Sequence, residues 1–141
     1  AMVYYGQMRR PERDQSQTRF AVSELELFIT RYSETAEVEM LDEVRSLLRE
    51  ARDRLSESSY LVGRFYYRNN FYNGAIDRFQ SILEDDPGYT RRDVIYYHLA
   101  DCFVAVNRLD EALPLYQQLV SEFPDTEYLA EANERISELR Q

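Results

Sequence analysis

The chain has 141 residues, 44% of them hydrophobic, and 17 basic against 26 acidic side chains give it a formal charge of −9. That is enough apolar material for the core of one domain. Every basic residue is arginine; the net acidity excludes general nucleic-acid binding, the single Cys excludes a disulfide framework or a cysteine-built zinc site, and no apolar run approaches the roughly 18–20 residues of a membrane helix. No signal peptide opens the chain, so the composition describes a soluble helical domain.

In chain order, residues 3–8 read as the tail of a helix and 9–16 as a polar loop, with Asp14 and Gln17 spaced to cap the next helix. Ala21, Leu25, Phe28 and Tyr32 then mark a helix that stops at Ser33. From about Thr35 the apolar seam Val38, Leu41, Val44, Leu48, Ala51, Leu55 and Val62 keeps helical spacing without Gly or Pro until Gly63. One long helix over about 35–69 is predicted, with Asp42/Arg45, Arg49/Asp53 and Glu50/Arg54 as solvated pairs on its outside. Shorter helices succeed it up to Pro87 and Pro124, and an amphipathic helix carrying Tyr128, Leu129, Ala132, Ile136 and Leu139 closes the chain. Asn73, Thr90 (with Asp93 three residues on), Asp110 and Asp125 are the expected N-caps. Pro114 is awkward near a helix start, where its missing donor is tolerated or bends the helix.

Two stretches superimpose. Val62-Gly63, Tyr66, Ala75, Phe79, Ile82 and Pro87 correspond to Leu99-Ala100, Phe103, Ala112, Tyr116, Leu119 and Pro124. Both match the landmarks of the tetratricopeptide (TPR) helix pair: small residues where helices A and B meet, aromatics between them and a proline that ends helix B. Pro87 and Pro124 lie 37 residues apart rather than the ~34 of the standard repeat, so the connection holds an extra turn or a longer loop. The expectation is an all-α TPR solenoid of antiparallel helix pairs forming a single domain over 1–141: a partial repeat over 3–33, the long helix plus repeat over 35–87, a repeat over 90–124 and a capping helix over 126–140. Because a solenoid repeat cannot bury its face alone, the chain reads as an excerpt of a longer array.

Catalytic chemistry is hard to place. His98 has no second His or Cys at ligand spacing and reads as structural; Cys102 reads as a small buried hydrophobe. The clusters Glu84-Asp85-Asp86 and Glu37/Glu39/Asp42/Glu43 lack the spacing of a calcium loop, and there is no phosphate loop or nucleophile elbow. No enzyme, metal or cofactor is therefore expected, and an acidic-site hydrolase survives only as a remote alternative.

What remains is recognition. Residues 58–78 form a positive island of three arginines and one aspartate between blocks of −5 (21–57) and −8 (79–141). The outward helix-A positions hold Glu57, Tyr60, Arg64, Tyr67 and Arg68 in one copy, and Val94, Tyr97, Asp101 and Val104 in the next. Tyr and Arg are enriched at binding hot spots, although any one of these tyrosines is as readily core. Arg78 lies on helix B beside the core position of Phe79 and is expected on a different, exposed face.

The stretch Glu12-Arg-Asp-Gln-Ser-Gln-Thr-Arg19, the helix ending Thr30-Arg-Tyr-Ser33, and the long helix running into Gly63-Arg-Phe-Tyr-Tyr-Arg-Asn and Gly74-Ala-Ile-Asp-Arg-Phe resemble the BamD family of outer-membrane assembly lipoproteins. The likeness covers essentially the whole chain, as the C-terminal half of a five-repeat protein. Ser33 replaces the usual proline, the N-terminal repeats and lipid-bearing cysteine are absent, and Cys102 is mid-helix and cannot be that anchor. The resemblance implies a non-enzymatic scaffold on the periplasmic face of the outer membrane, tethered through the parent protein's lipid. It implies docking on a periplasmic domain of the barrel protein BamA and, in some lineages, on accessory lipoproteins. It also implies a place for Arg78 at the BamA contact. A Tol-Pal-associated periplasmic TPR adaptor is the alternative, and self-association through the first helix stays open.

Overall fold

The computed structural model describes residues 11–34 and 37–141. Its helices are α1 (Pro11–Tyr32), α2 (Val38–Arg68), α3 (Tyr72–Asp85), α4 (Arg92–Ala105), α5 (Leu109–Glu122) and α6 (Leu129–Leu139), with no strand among the described residues. The chain divides into two compact units, Ala1–Ser58 and Ser59–Gln141, and helix α2 contributes residues 38–58 to the first and 59–68 to the second. The expected helix tail at 3–8 lies outside the described residues.

The polar stretch expected to be a loop over 9–16 is helical from Pro11. Proline suits a helix's first position, because its fixed φ is helical and its missing N–H has no intrahelical partner there anyway. Asp14 therefore lies within the first turn instead of capping it. In this first unit Leu41 and Ala51 are buried, as the seam predicts, whereas Val38 is 73% exposed. All three anticipated surface pairs form: Arg49–Asp53 at 2.8 Å, with Asp42–Arg45 and Glu50–Arg54 both at 3.9 Å. Arg52 on α2 also pairs with Glu26 on α1. Phe20, Leu27, Met40 and Leu47 remain exposed on α1 and α2.

The second unit holds the main core. Helix α3 packs on α4, α4 on α5 and α5 on α6. Phe79, Ile95, Leu99, Cys102, Tyr116 and Leu119 are its largest fully buried side chains. Helices α4 and α5 each have 14 residues, joined by a three-residue turn, and a six-residue connection leads to α6. The turn after α2 and the connection after α3 have these same lengths, so the 37-residue period places its extra residues in a longer loop between helix pairs.

None of the predicted N-caps is the residue that directly precedes a helix. Helices α3, α4, α5 and α6 start after Phe71, Arg91, Arg108 and Tyr128, none with a side-chain cap bond. Each A-to-B turn is instead closed from the helix that precedes it. Asn70 and Asn107 adopt φ of 63° and 62°, a left-handed conformation that Asn tolerates better than most residues. The next residue's N–H then reaches back: Phe71 to the Tyr66 carbonyl and Arg108 to the Phe103 carbonyl, both 2.8 Å. Asn70 donates to Tyr67 O at 3.1 Å and Asn107 to Val104 O at 3.0 Å, so both turns carry the same paired bonds. Arg108 also lays its guanidinium over the Phe103 ring at 4.7 Å. Pro87 and Pro124 each come directly after a helix C-cap, Asp86 and Phe123, where proline prevents continuation. Pro114 is the sixth residue of α5, which runs through it without a break.

Candidate functional site

The aromatics at helical spacing on α2 and α4 converge on one side chain. The ring of His98 stands edge-on to Tyr67 at 5.2 Å, Tyr97 at 5.5 Å, Tyr60 at 5.6 Å and Tyr128 at 6.0 Å, with Phe79 tilted against it at 6.0 Å. Edge-to-face contacts of this kind align ring quadrupoles favourably. His98 Nδ1 lies 2.9 Å from the Val94 carbonyl, a bond the imidazole makes as donor. Burial pushes its pKa below the usual histidine value, opposed by that backbone bond and by Asp101. The imidazole is thus a neutral, hydrogen-bonded plug in a ring of four tyrosines, consistent with a structural histidine.

Asp101 ties the ring to helix B. Tyr67 donates to its Oδ2 at 3.1 Å and Tyr116 to its Oδ1 at 2.5 Å. Burial first, and Asp101 second, hold both phenols above their normal pKa. Tyr97 is 8% exposed, stacks on Tyr128 with centroids 4.4 Å apart and donates to Glu131 of α6. Burial raises the Tyr128 pKa to about 12. Cys102 is fully buried, and burial likewise pushes its thiol up to about 12, the behaviour of an inert packed thiol. Tyr97 and Asp101 are therefore tied into the packing of α4 against α2, α5 and α6. Val94, expected at an outward position, is buried.

Tyr60 is half-buried, with its pKa raised by burial and lowered by its hydrogen bond to Arg64 and by the charges of Arg68 and Arg91. Arg64 is partly exposed, and Arg68 and Arg78 are exposed. Arg78 sits beside the fully buried Phe79 and so points away from the core of α3. A network unforeseen in the sequence joins the two connections: Thr126 Oγ1 donates to Asp93 at 2.8 Å, and Arg91 bonds Asp93 at 3.2 Å and pairs with Glu127 at 3.7 Å. Asp93 is the shared acceptor of this network. A concavity of about 570 Å³ opens beside α3 and α5, lined by Leu83, Leu99, Phe103, Arg108, Pro114 and Leu115 among others. It depends on side chains from three helices, so no local sequence signal reveals it. The described residues contain no group of three or more His, Cys, Asp or Glu able to hold a metal. No described helix is long and apolar enough to cross a membrane.

Comparison with known proteins agrees with the helix-pair architecture. A tetratricopeptide-repeat model matches residues 66–135, and an outer membrane lipoprotein model matches residues 1–100. The chain is 24% identical over 132 residues to the outer membrane protein assembly factor BamD of Caulobacter vibrioides, covering 94% of this chain and 42% of that protein. It thus spans about two-fifths of the relative's length. The lipoprotein model extends over most of the chain, from residue 1 through α1, the long helix α2 and into α4. The chain belongs to the BamD-like outer membrane lipoprotein family.

Proposed function

We propose that this chain acts as a non-enzymatic scaffold in the assembly of outer-membrane β-barrel proteins. In this reading it docks on a BamA-like periplasmic domain, with accessory lipoproteins as further partners. Its place is the periplasmic face of the outer membrane, where the lipid anchor of the parent protein would hold it. The match to the lipoprotein family over residues 1–100 carries the reading, and the outer membrane assembly factor among its relatives supports the process.

Arg78 is the proposed docking residue. It projects from α3 without an ion-pair partner among the described residues. Phe71, 61% exposed, lies seven positions earlier, on the same side of the helix two turns away. An exposed arginine and an exposed aromatic on one helix face are the side-chain types enriched in interface anchors. A pull-down with the cognate BamA periplasmic domains tests this: Arg78→Glu should abolish capture while leaving the circular dichroism spectrum and melting temperature unchanged. Capture equal to that of the unaltered protein would overturn the docking assignment.

A further inference from the structure

Of the eight arginines within Ser59–Gln141, four have a carboxylate within 4.0 Å and four, Arg64, Arg68, Arg78 and Arg140, do not among the described residues. Arg64 and Arg68 sit one turn apart on α2, where like charges at i,i+4 cost a few tenths of a kcal/mol. The C-terminal dipole of α2 favours a cation in its last turn and accounts for Arg68. Arg64 lies a turn earlier, and it hydrogen-bonds the neutral hydroxyl of Tyr60.

The same part of α2 leaves large apolar side chains in water. Leu61 is 50% exposed and Phe65 62% exposed. On a helix of 3.6 residues per turn, Arg64, Arg68, Leu61 and Phe65 occupy one continuous arc of about 100°. Gly63 and Tyr66 occupy the opposite side, facing Phe79 and Gly74 of α3. The open arc therefore pairs two cations with two apolar surfaces inside the positive island of a net acidic chain.

We propose that this face of α2 is a docking site for an acidic, apolar-containing segment of a partner protein. Its carboxylates would engage Arg64 and Arg68, and its apolar side chains would cover Leu61 and Phe65. The two arginines are separated by about 6 Å along the helix axis, close to the about 7 Å between alternate residues of an extended strand. A segment alternating acidic and apolar residues matches that spacing. The proposal does not depend on the docking assigned to Arg78.

Fluorescence anisotropy with the whole 141-residue chain and a labelled peptide alternating Glu and Leu tests the proposal. Binding is expected to weaken at least roughly tenfold, about 1.4 kcal/mol, with Arg64→Gln/Arg68→Glu, with Phe65→Ser, or when Gln replaces Glu in the peptide. Arg78→Glu should leave it unchanged. Arg68→Glu alone, at an exposed position, carries the test if the double variant melts early. Equal binding of the Gln peptide, or indifference to the arginine changes, would overturn the proposal. So would arginine-dependent binding to phosphatidylglycerol vesicles without peptide binding, or a dimer in analytical ultracentrifugation that the same substitutions dissolve.

Discussion

Tyr116 places its hydroxyl 2.5 Å from Asp101 Oδ1, although the tyrosine has no exposed surface. One repeat earlier, the equivalent positions hold Phe79 and Arg64. The buried hydroxyl and the carboxylate that receives it are thus present together or absent together, as expected where an unsatisfied buried donor is costly.

Tyr116→Phe removes a charge-assisted bond and should cost about 1–2 kcal/mol in urea unfolding. Asp101→Ala should cost more, because Tyr67 and Tyr116 lose the same acceptor. The double variant should be less destabilised than the summed singles. Strict additivity would show that the hydroxyl and carboxylate do not act as a pair.

Gly63 is needed for the close packing of α2 on α3. A Cβ there would lie 2.5 Å from Phe79 Cε1 and 2.9 Å from Cδ1. Overpacking of this kind costs about 1–3 kcal/mol, against about 1 kcal/mol of helix propensity gained by replacing glycine. Gly63→Ala should therefore lower the melting temperature, and Phe79→Leu introduced with it should cost less than it does alone. A Gly63→Ala protein that melts higher than the parent would refute this.

Asn70 and Asn107 can be tested through their positive φ. Replacement of Asn107 by Ala should destabilise by about 1 kcal/mol, because a Cβ is disfavoured in the left-handed region without the local polar bonding of Asn. Replacement by Gly should be nearly neutral. Chemical denaturation of both variants would reveal a side-chain rather than backbone requirement if Gly cost as much as Ala.

His98 makes stability fall in acid. Its folded pKa is lowered by burial from the ordinary histidine value of 6.5, so below that pH the unfolded chain binds the proton more readily. The contribution is complete above pH 6.5 and is lost as pH falls through the lowered folded value. Tyr60, Tyr67, Tyr97 and Tyr128 surround the ring, while Asp101 opposes and Arg64 and Arg68 reinforce the shift. Thermal melts at pH 7.5 and 5.5 should show a smaller difference for His98→Gln than for the parent. Identical differences would remove His98 from the pH response.

Periodic side chains make much of this fold readable in advance. The seam from Leu41 to Val62 requires a long helix, and the structure ends it at Arg68, one residue from the expected limit. Gly63, Ala75, Phe79, Ala100, Ala112 and Tyr116 occupy positions set by helix-pair contact, and all are buried. The helix starts are less readable, because local cap signals compete with a backbone reversal anchored by the preceding helix. Asn73 and Asp110 consequently lie inside helices whose entry is set by Asn70 and Asn107. Tyr60, Arg64, Tyr67, Arg68 and Arg78 are legible as residue types on helix faces. The convergence on His98 is not, since it also requires Tyr97 on α4 and Tyr128 beside α6. Tyr97 consequently contributes largely from within the packing.

The two short reversals have a consequence for how this architecture can change in length. Phe71 and Arg108 each complete the end of one helix and serve as the N-cap position of the next. One inserted residue within such a continuous register would rotate the next apolar face by about 100° and expose residues such as Phe79 or Tyr116. Pro87 and Gly88, like Pro124 and Asp125, lie between helix pairs, and Gly88 and Asp125 are exposed there. Natural insertions, proteolytic nicks and grafted epitopes should therefore collect at those longer connections, while the opposite turns keep a constant length.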